Sequence, residues 1–108
     1  MTNTALPAPV AAAVAAANAG DIDAFLAVFA PDGSVDDWGR VFTGPEAIRH
    51  WSDREFVGVD VSLDIRGVTT DGGTTTILAE VGGSGFNGPS HFAFTVQGDH
   101  VTLMRITG

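Results

Sequence analysis

The sequence predicts an α+β protein in which helices cover one face of an antiparallel sheet. Apolar residues recur at helical spacing in the first half, whereas from Val59 to Arg66 they alternate with polar residues, as in a strand with one wet face. Asp71-Gly72-Gly73 and Gln97-Gly98-Asp99 have the composition of tight turns between strands. Helices followed by a meander of strands is the element order of an α+β fold.

Two short helices open the chain. Residues 10–18 are rich in alanine, the best helix former, and Gly20 can adopt the left-handed conformation that ends a helix. Asp21 can cap a second helix, which Pro31-Asp32-Gly33 should end. The apolar residues at helical spacing in this second helix are Ile22, Phe25, Leu26 and Phe29. The two helices should form a hairpin.

A strand, a turn and a third helix follow. Residues 34–38 form the predicted strand, Gly39 and Arg40 the turn, and Val41-Phe42 a brief extended return. Thr43-Gly44-Pro45-Glu46 has the form of a capping box, with threonine as cap, proline in the first turn and glutamate three residues on. The helix carries the apolar residues Ala47, Ile48, Trp51 and Phe56, and Gly58 should mark its end.

The second half contains the four strands of the meander. The segment 74–81 is rich in β-branched residues, and a glycine-rich bend at 82–88 separates it from strands at 91–96 and 101–106. The glycines of the bend match no phosphate-binding spacing and precede no predicted helix. We interpret residues 1–108 as a single domain.

Composition excludes several classes of function. The chain has no cysteine, and its thirteen acidic residues outweigh five arginines to give a net charge of -8. Such a surface repels nucleic acid and anionic membranes, so a neutral or cationic small ligand is expected. His50 and His91, the two histidines outside the Asp99-His100 turn, have no third clear ligand and so do not make a metal site, and we expect no metal or other cofactor. The apolar stretch 11–17 is too short to span a bilayer and follows no basic residue, which favours a cytoplasmic protein.

Adjacent carboxylates on the first strand are the leading site candidates. If Val35 faces the core, strand alternation points Asp37 to the same side and Asp36 to the opposite one. A carboxylate beside aromatic residues is costly to bury unless it is paired or protonated, and such groups often have a function. Asp37 is therefore a candidate general base. The alternative is a strand-end aspartate that caps a turn or pairs with Arg40.

Several motifs, taken in order along the chain, resemble the nuclear-transport-factor-2-like superfamily, and within it the branch of ketosteroid isomerases and SnoaL-like polyketide cyclases. They are Asn18-Ala19-Gly20-Asp21-Ile22-Asp23, Phe29-Ala30-Pro31-Asp32, Val35-Asp36-Asp37, Gly44 with Ala47-Ile48-Arg49, His91-Phe92-Ala93-Phe94 and Met104-Arg105. The resemblance implies a cone-shaped curved antiparallel sheet wrapped by three helices, a cystatin-like α+β barrel. It also implies a ligand inside the cone and a homodimer formed through the sheet.

By position, Asp37 matches the aspartate that transfers a proton in the isomerases. Those enzymes also use a tyrosine and a neutral carboxylic acid, both as hydrogen-bond donors, to stabilise the enolate oxygen. Ala13 and Ser90 stand at the matching positions, and this sequence has no tyrosine. Loss of one such donor commonly costs about 10²- to 10³-fold in rate, so efficient steroid isomerisation is not expected.

Aromatic and polar residues could line the cone. In this fold core and pocket wall use the same side chains, and the sequence leaves both roles open. Ser90 is a candidate donor to a ligand oxygen, although a serine after Pro89 is more often a turn residue. His91 should face outward if Phe92 faces the cone. The predicted pocket residues are Trp38, His50, Trp51, Phe56, Ser90, Phe92, Phe94 and Met104.

Two functions follow. The first is an isomerase-like or cyclase-like enzyme that acts on a small hydrophobic carbonyl compound, with Asp37 as base and with water, Ser90 or His50 as electrophile. The second is a non-catalytic module of the same fold that binds a small ligand or another protein. Retention of Asp37 favours the first hypothesis, and absence of the two donors favours the second. Hydrolysis of an epoxide or ester ranks lowest.

Overall fold

The computed structural model describes residues 6–108 and shows three α-helices and six strands in that range. The helices are α1 (Ala8–Ala19), α2 (Ile22–Ala27) and α3 (Pro45–Glu55), and a 3-10 turn covers Val57–Val59. The strands are β1 (Phe29–Asp37), β2 (Arg40–Thr43), β3 (Ser62–Asp71), β4 (Thr74–Gly82), β5 (Gly88–Gln97) and β6 (His100–Thr107). The predicted α+β class is confirmed.

The six strands form one curved sheet in the order β2-β1-β6-β5-β4-β3. The predicted meander is confirmed, since β3 to β6 pair antiparallel with their neighbours in sequence. β1 extends the sheet by pairing parallel to β6, which is possible because α3 and the meander provide the long connection between these two strands. Register shifts between Ile65 and Gly67 and between Thr95 and Val96 indicate bulges, which bend the strands.

In the helical hairpin, α1 ends and α2 begins where the sequence predicts, but α2 is shorter than predicted. Gly20 is left-handed with φ 70°, and Asp21 Oδ1 accepts a hydrogen bond of 3.1 Å from Ala24 N. Phe29 was expected to be helical, and this prediction is wrong. The Val101 amide donates to the Val28 carbonyl at 2.9 Å, so pairing with β6 begins here and ends the helix.

Pro31-Asp32-Gly33 lies within β1 instead of separating a helix from a strand. A register shift between Phe29 and Ser34 accommodates the proline, which cannot donate to the strand ladder. Gly33 is buried, and a Cβ at this position would lie 3.0 Å from the Ala30 carbonyl oxygen. It would also lie 3.1 Å from the Val101 carbonyl oxygen on β6, so β1 can pass β6 this closely because residue 33 has no side chain.

The predicted capping box at the start of α3 is wrong in its side-chain contacts. Gly44 is the N-cap residue, with φ 90° and no side-chain capping bond. Thr43 instead ends β2, where its Oγ1 lies 2.8 Å from Ser34 Oγ on β1. The cross-strand bond therefore replaces the cap, although Pro45 does occupy the first helical turn as predicted.

One core cluster fills the space between the helices and the sheet. α1 contributes Val10, Ala13 and Ala17, whose small side chains allow the helix to pack closely on the strands. Asn18 fastens the end of α1 to the edge strand β3. Its Nδ2 donates to Leu63 O at 3.1 Å, and its Oδ1 accepts from Leu63 N at 2.7 Å. Within residues 6–108 no helix is long and apolar enough to cross a membrane.

Candidate active site

A cavity of about 330 Å³ opens between the end of α3 and the neighbouring ends of β1, β4, β5 and β6. Its wall is largely apolar, and its polar groups are few. The apolar wall includes Trp51, Phe56, Val61, Val81, Phe92 and Ile106. The charged and hydroxyl groups are Asp37, Arg40, Arg54, Glu55 and Ser90. An apolar pocket with a few convergent polar groups is the usual form of a small-molecule site.

Strand alternation places the two carboxylates on opposite faces, as the sequence predicts. Val35 is fully buried, and Asp37, two residues on, lines the cavity with a side chain that is 14% exposed. Asp36 faces away, where its Oδ2 accepts from Arg105 Nε at 3.3 Å and its Oδ1 accepts from Gly39 N at 2.8 Å. Both oxygens of Asp36 are therefore used in holding the sheet and the turn.

Asp37 is anchored through one carboxylate oxygen. Its Oδ2 accepts hydrogen bonds from Trp51 Nε1 at 3.0 Å and from Arg40 Nη2 at 2.5 Å. The predicted alternative, an ion pair with Arg40, is thus present on the same side chain that lines the cavity. Oδ1 accepts no hydrogen bond from residues 6–108. In this range every fully buried side-chain nitrogen or oxygen has a hydrogen-bond partner, so an oxygen without a partner cannot be fully buried. Oδ1 is therefore accessible. Asp37 keeps one oxygen available to a ligand.

Arg40 connects Asp37 to the end of α3. Its guanidinium donates to both oxygens of Glu55, at 2.9 and 2.6 Å, in addition to its bond with Asp37. The hydrogen bonds to Glu55, followed by the contacts with Asp37, raise the pKa of Arg40, while the bond from Arg40 lowers the pKa of Glu55. The sequence interval between Arg40 and Glu55 hides this contact from local pattern analysis.

Ser90 presents a hydroxyl to the cavity. The residue is 3% exposed and lines the wall from β5, and its Oγ makes no hydrogen bond to a side chain or backbone group among residues 6–108. Since no fully buried side-chain polar atom in this range is unpaired, the Oγ is open to the cavity. The other buried serine, Ser52, differs because its Oγ accepts from Val57 N at 3.2 Å. A cavity hydroxyl without a protein partner can donate to a ligand without breaking an existing bond.

Aromatic rings form one wall and part of the rim. Trp51 and Phe56 stack with centroids 5.1 Å apart, and Phe56 reaches Phe92 at 6.2 Å. Trp38 and Phe86 lie at the rim, with Trp38 64% exposed. Trp38 has φ 54°, a left-handed conformation that is unusual for a bulky residue. The two-residue turn Trp38-Gly39 between β1 and β2 imposes it. Phe86 was not among the predicted pocket residues, because its glycine-rich bend has no periodic pattern.

The cavity includes five of the predicted pocket residues: Trp38, Trp51, Phe56, Ser90 and Phe92. Three others lie elsewhere. Phe94 and Met104 are paired on β5 and β6, do not line the cavity, and are buried in the core. His50 is exposed on α3 in an adjacent groove, where its Nε2 lies 3.3 Å from Arg54 Nη1.

Two residues considered in the sequence analysis, His91 and Ala13, lie outside the cavity. His91 faces outward, as alternation predicts, and its Nδ1 lies 3.0 Å from Gly108 O. Ala13 is buried in α1 and does not line the cavity. In the described part of the chain, no group of three or more His, Cys, Asp or Glu side chains is placed to hold a metal ion.

Three helices on a curved six-stranded sheet, with a carboxylate in a cavity at one end, define a protein with the nuclear-transport-factor-2-like fold. The chain belongs to the SnoaL-like domain family, whose model matches residues 10–107. The family resemblance seen in the sequence is confirmed. No curated protein matches the chain.

Solved structures support the same assignment. A proposed polyketide cyclase from Sinorhizobium meliloti is 26% identical, with a TM-score of 0.83 over 94% of this chain and 95% of that one. A hypothetical protein from Catenulispora acidiphila with a ketosteroid-isomerase-like fold, in complex with trimethylamine, is 26% identical, with a TM-score of 0.79 over 96% and 87%. A Δ5-3-ketosteroid isomerase from Mycobacterium sp. shares the fold at 16% identity, with a TM-score of 0.80 over 94% and 90%.

Proposed function

We propose that the protein catalyses proton transfer on a small hydrophobic carbonyl compound, as an isomerase or a cyclase, with Asp37 as the general base. The observation that carries this proposal is the accessible Oδ1 of Asp37, on a carboxylate held through Oδ2 in an apolar cavity. A base that is fixed in position and still has a free oxygen has the arrangement that general base catalysis needs.

Asp37 and Ser90 can handle the proton that leaves the substrate and the negative charge that forms on its carbonyl oxygen. Asp37 Oδ1 removes a proton from the carbon beside the substrate carbonyl, and the electron pair moves onto the carbonyl oxygen. Ser90 Oγ donates a hydrogen bond to that oxygen. If a carbon–carbon double bond is conjugated with the enolate, return of the proton to the far carbon of that double bond shifts the bond and completes an isomerisation. In a cyclisation the enolate carbon attacks a second carbonyl of the same molecule, and Asp37 returns its proton to the new alkoxide.

Stabilisation of the enolate is the weaker half of this site. Ser90 is a single neutral donor, and Ala13, which by resemblance stands at the position of the isomerases' tyrosine, does not line the cavity. One missing donor corresponds to about 10²- to 10³-fold in rate, so the proposed reaction suits a substrate whose proton is more acidic than that of a simple ketone. A 1,3-dicarbonyl compound has this property.

A non-catalytic ligand-binding module is the second candidate. It is favoured by the pairing of Asp37 with Arg40, which gives the carboxylate a structural role, and by the aromatic wall, which binds apolar molecules without any chemistry. Under this function Asp37 would hold the β1–β2 turn near α3, and Ser90 would orient the ligand.

Deuterium exchange separates the two functions. The probe is 2-tetralone, a small apolar ketone whose C1 protons, between the carbonyl and the aromatic ring, are more acidic than those of a simple ketone; their exchange in D₂O is followed by NMR. Asp37→Asn should lower protein-catalysed exchange at least about 100-fold, whereas Asp36→Asn, the adjacent carboxylate on the opposite face, should stay close to the unaltered protein. Exchange that persists in a folded Asp37→Asn variant, or absence of exchange with 2-tetralone bound, favours the binding module.

A further inference from the structure

The charges on the cavity wall differ from those of the whole chain. Its charged residues are two acids, Asp37 and Glu55, and two arginines, Arg40 and Arg54. Their formal charges cancel, although the chain carries a net charge of -8. Two of the five arginines therefore lie beside one cavity, and the surplus of acids lies elsewhere.

Arg54 differs from the other arginines in its partners. Among residues 6–108 it has no carboxylate oxygen within 4.0 Å, and its only side-chain hydrogen bond is the one with His50 Nε2 at 3.3 Å. Every other arginine has a carboxylate partner: Arg40 with Asp37 and Glu55, Arg49 with Asp23, Arg66 with Asp64, and Arg105 with Asp36. In so acidic a chain, a guanidinium without a carboxylate is an exception.

Arg54 has no carboxylate partner in the described range, and its neighbour Glu55 is held by Arg40. Glu55 follows Arg54 directly in sequence, but both of its carboxylate oxygens bind Arg40. The hydrogen bond from Arg40 is the main cause of the lowered pKa of Glu55, and Arg54 acts on it only through space. A guanidinium has five N–H donors, and Arg54 uses one toward His50. Arg54 is exposed and forms part of the cavity wall.

We propose that the ligand carries a carboxylate that binds Arg54, attached to an apolar body that occupies the cavity. This inference rests on the proposed function only in that both use the same cavity. A carboxylate matches the fork of guanidinium donors, and the apolar wall matches the rest of the molecule. A singly charged group fits better than a phosphate, because the repulsion from the acidic chain grows with ligand charge.

The test compares two probes that share one ring system, 2-naphthylacetate and 2-naphthylacetamide, by isothermal titration calorimetry at low ionic strength. The acid should bind about 3- to 10-fold more tightly than the neutral amide, and added salt should reduce this preference. Arg54→Gln should abolish the preference, so that the acid and the amide bind equally. Arg66→Gln removes the same charge from β3, outside the cavity wall, and should keep the preference.

Equal binding of acid and amide would overturn the proposal. So would a preference for the acid that survives Arg54→Gln, or one that Arg66→Gln abolishes equally, since that would reflect net charge alone. Failure to bind either probe would also count against it. The deuterium-exchange test uses a neutral ketone, so a failed carboxylate site and a failed general base give different results.

Discussion

The indole nitrogen of Trp51 donates a 3.0 Å hydrogen bond to Asp37 Oδ2 and thereby joins α3 to the last residue of β1. Trp51 is 3% exposed and stacks on Phe56, so its ring has little freedom to move. The orientation of the carboxylate is therefore set by the packing of the core. Arg40, which is largely exposed, adds a second bond to the same oxygen.

Replacing Trp51 by phenylalanine tests whether this bond positions the base. Trp51→Phe keeps an aromatic ring but removes the donor. We expect kcat for deuterium exchange of 2-tetralone to fall about tenfold while KM changes little, because hydrogen bonds to charged groups are worth about 1.5–3 kcal/mol. Trp38→Phe is the matched control, since Trp38 makes no hydrogen bond to Asp37. Equal losses in the two variants would contradict a positioning role for Trp51.

The two buried serines should respond oppositely to alanine. Ser90→Ala removes a hydroxyl without a protein partner, so the free energy of unfolding should change by less than about 0.5 kcal/mol while turnover falls about 10²- to 10³-fold. Ser52→Ala leaves the Val57 amide without its acceptor and should cost about 1–3 kcal/mol of stability. Denaturant unfolding and kinetics check both. Unchanged turnover in Ser90→Ala would remove Ser90 from the mechanism.

The ion pair of Arg40 with Glu55 should make stability depend on pH. Because the pKa of Glu55 is lower in the folded chain than its ordinary value of 4.5, the pair stabilises the fold above that value, and this contribution is lost as the pH falls through the lower folded pKa. The melting temperatures of the unaltered protein and Glu55→Gln should differ slightly above pH 4.5 and converge as the pH falls through the lowered folded pKa. The effect is small because both side chains are well exposed.

Glu80→Gln is the control for this pH effect, since Glu80 is exposed on β4 and forms no ion pair with the residues of the described range. The difference in melting temperature between Glu80→Gln and the unaltered protein should not show the pH dependence expected for Glu55→Gln. A difference for Glu55→Gln that stays constant over the same pH range would show that the Arg40 pair contributes nothing to folding.

Dimerisation through the outer face of the sheet remains a prediction. Ala93 pairs with Arg105 and Thr95 with Leu103 across β5 and β6, and these four residues form a mixed face opposite the buried Phe92 and Phe94. Sedimentation equilibrium should give twice the mass of one chain. Leu103→Asp should shift the protein toward monomer, while Thr69→Asp on the edge strand β3 should not. A monomeric mass for the unaltered protein would refute the prediction.

Local signals predicted most of the elements but not all of their boundaries. Gly20 and Asp21 act within one turn of the residues they cap, and both were identified correctly. Phe29 and Thr43 were assigned wrongly because each pairs with a strand distant in sequence or across a turn, Phe29 with Val101 and Thr43 with Ser34. Strand pairing overrode the local helical pattern in the first case and the capping pattern in the second.

For the candidate site, the sequence by itself determined the face of Asp37, since alternation in a strand has a fixed period of two and Val35 marks the buried side. Only the tertiary structure decided what surrounds that carboxylate. Trp51 and Glu55 come from α3, and Ser90 comes from β5, because the sheet and the helix end meet there. The absence of a carboxylate partner for Arg54 among residues 6–108 was likewise invisible in the sequence, since Glu55, its neighbour in the chain, binds Arg40 instead.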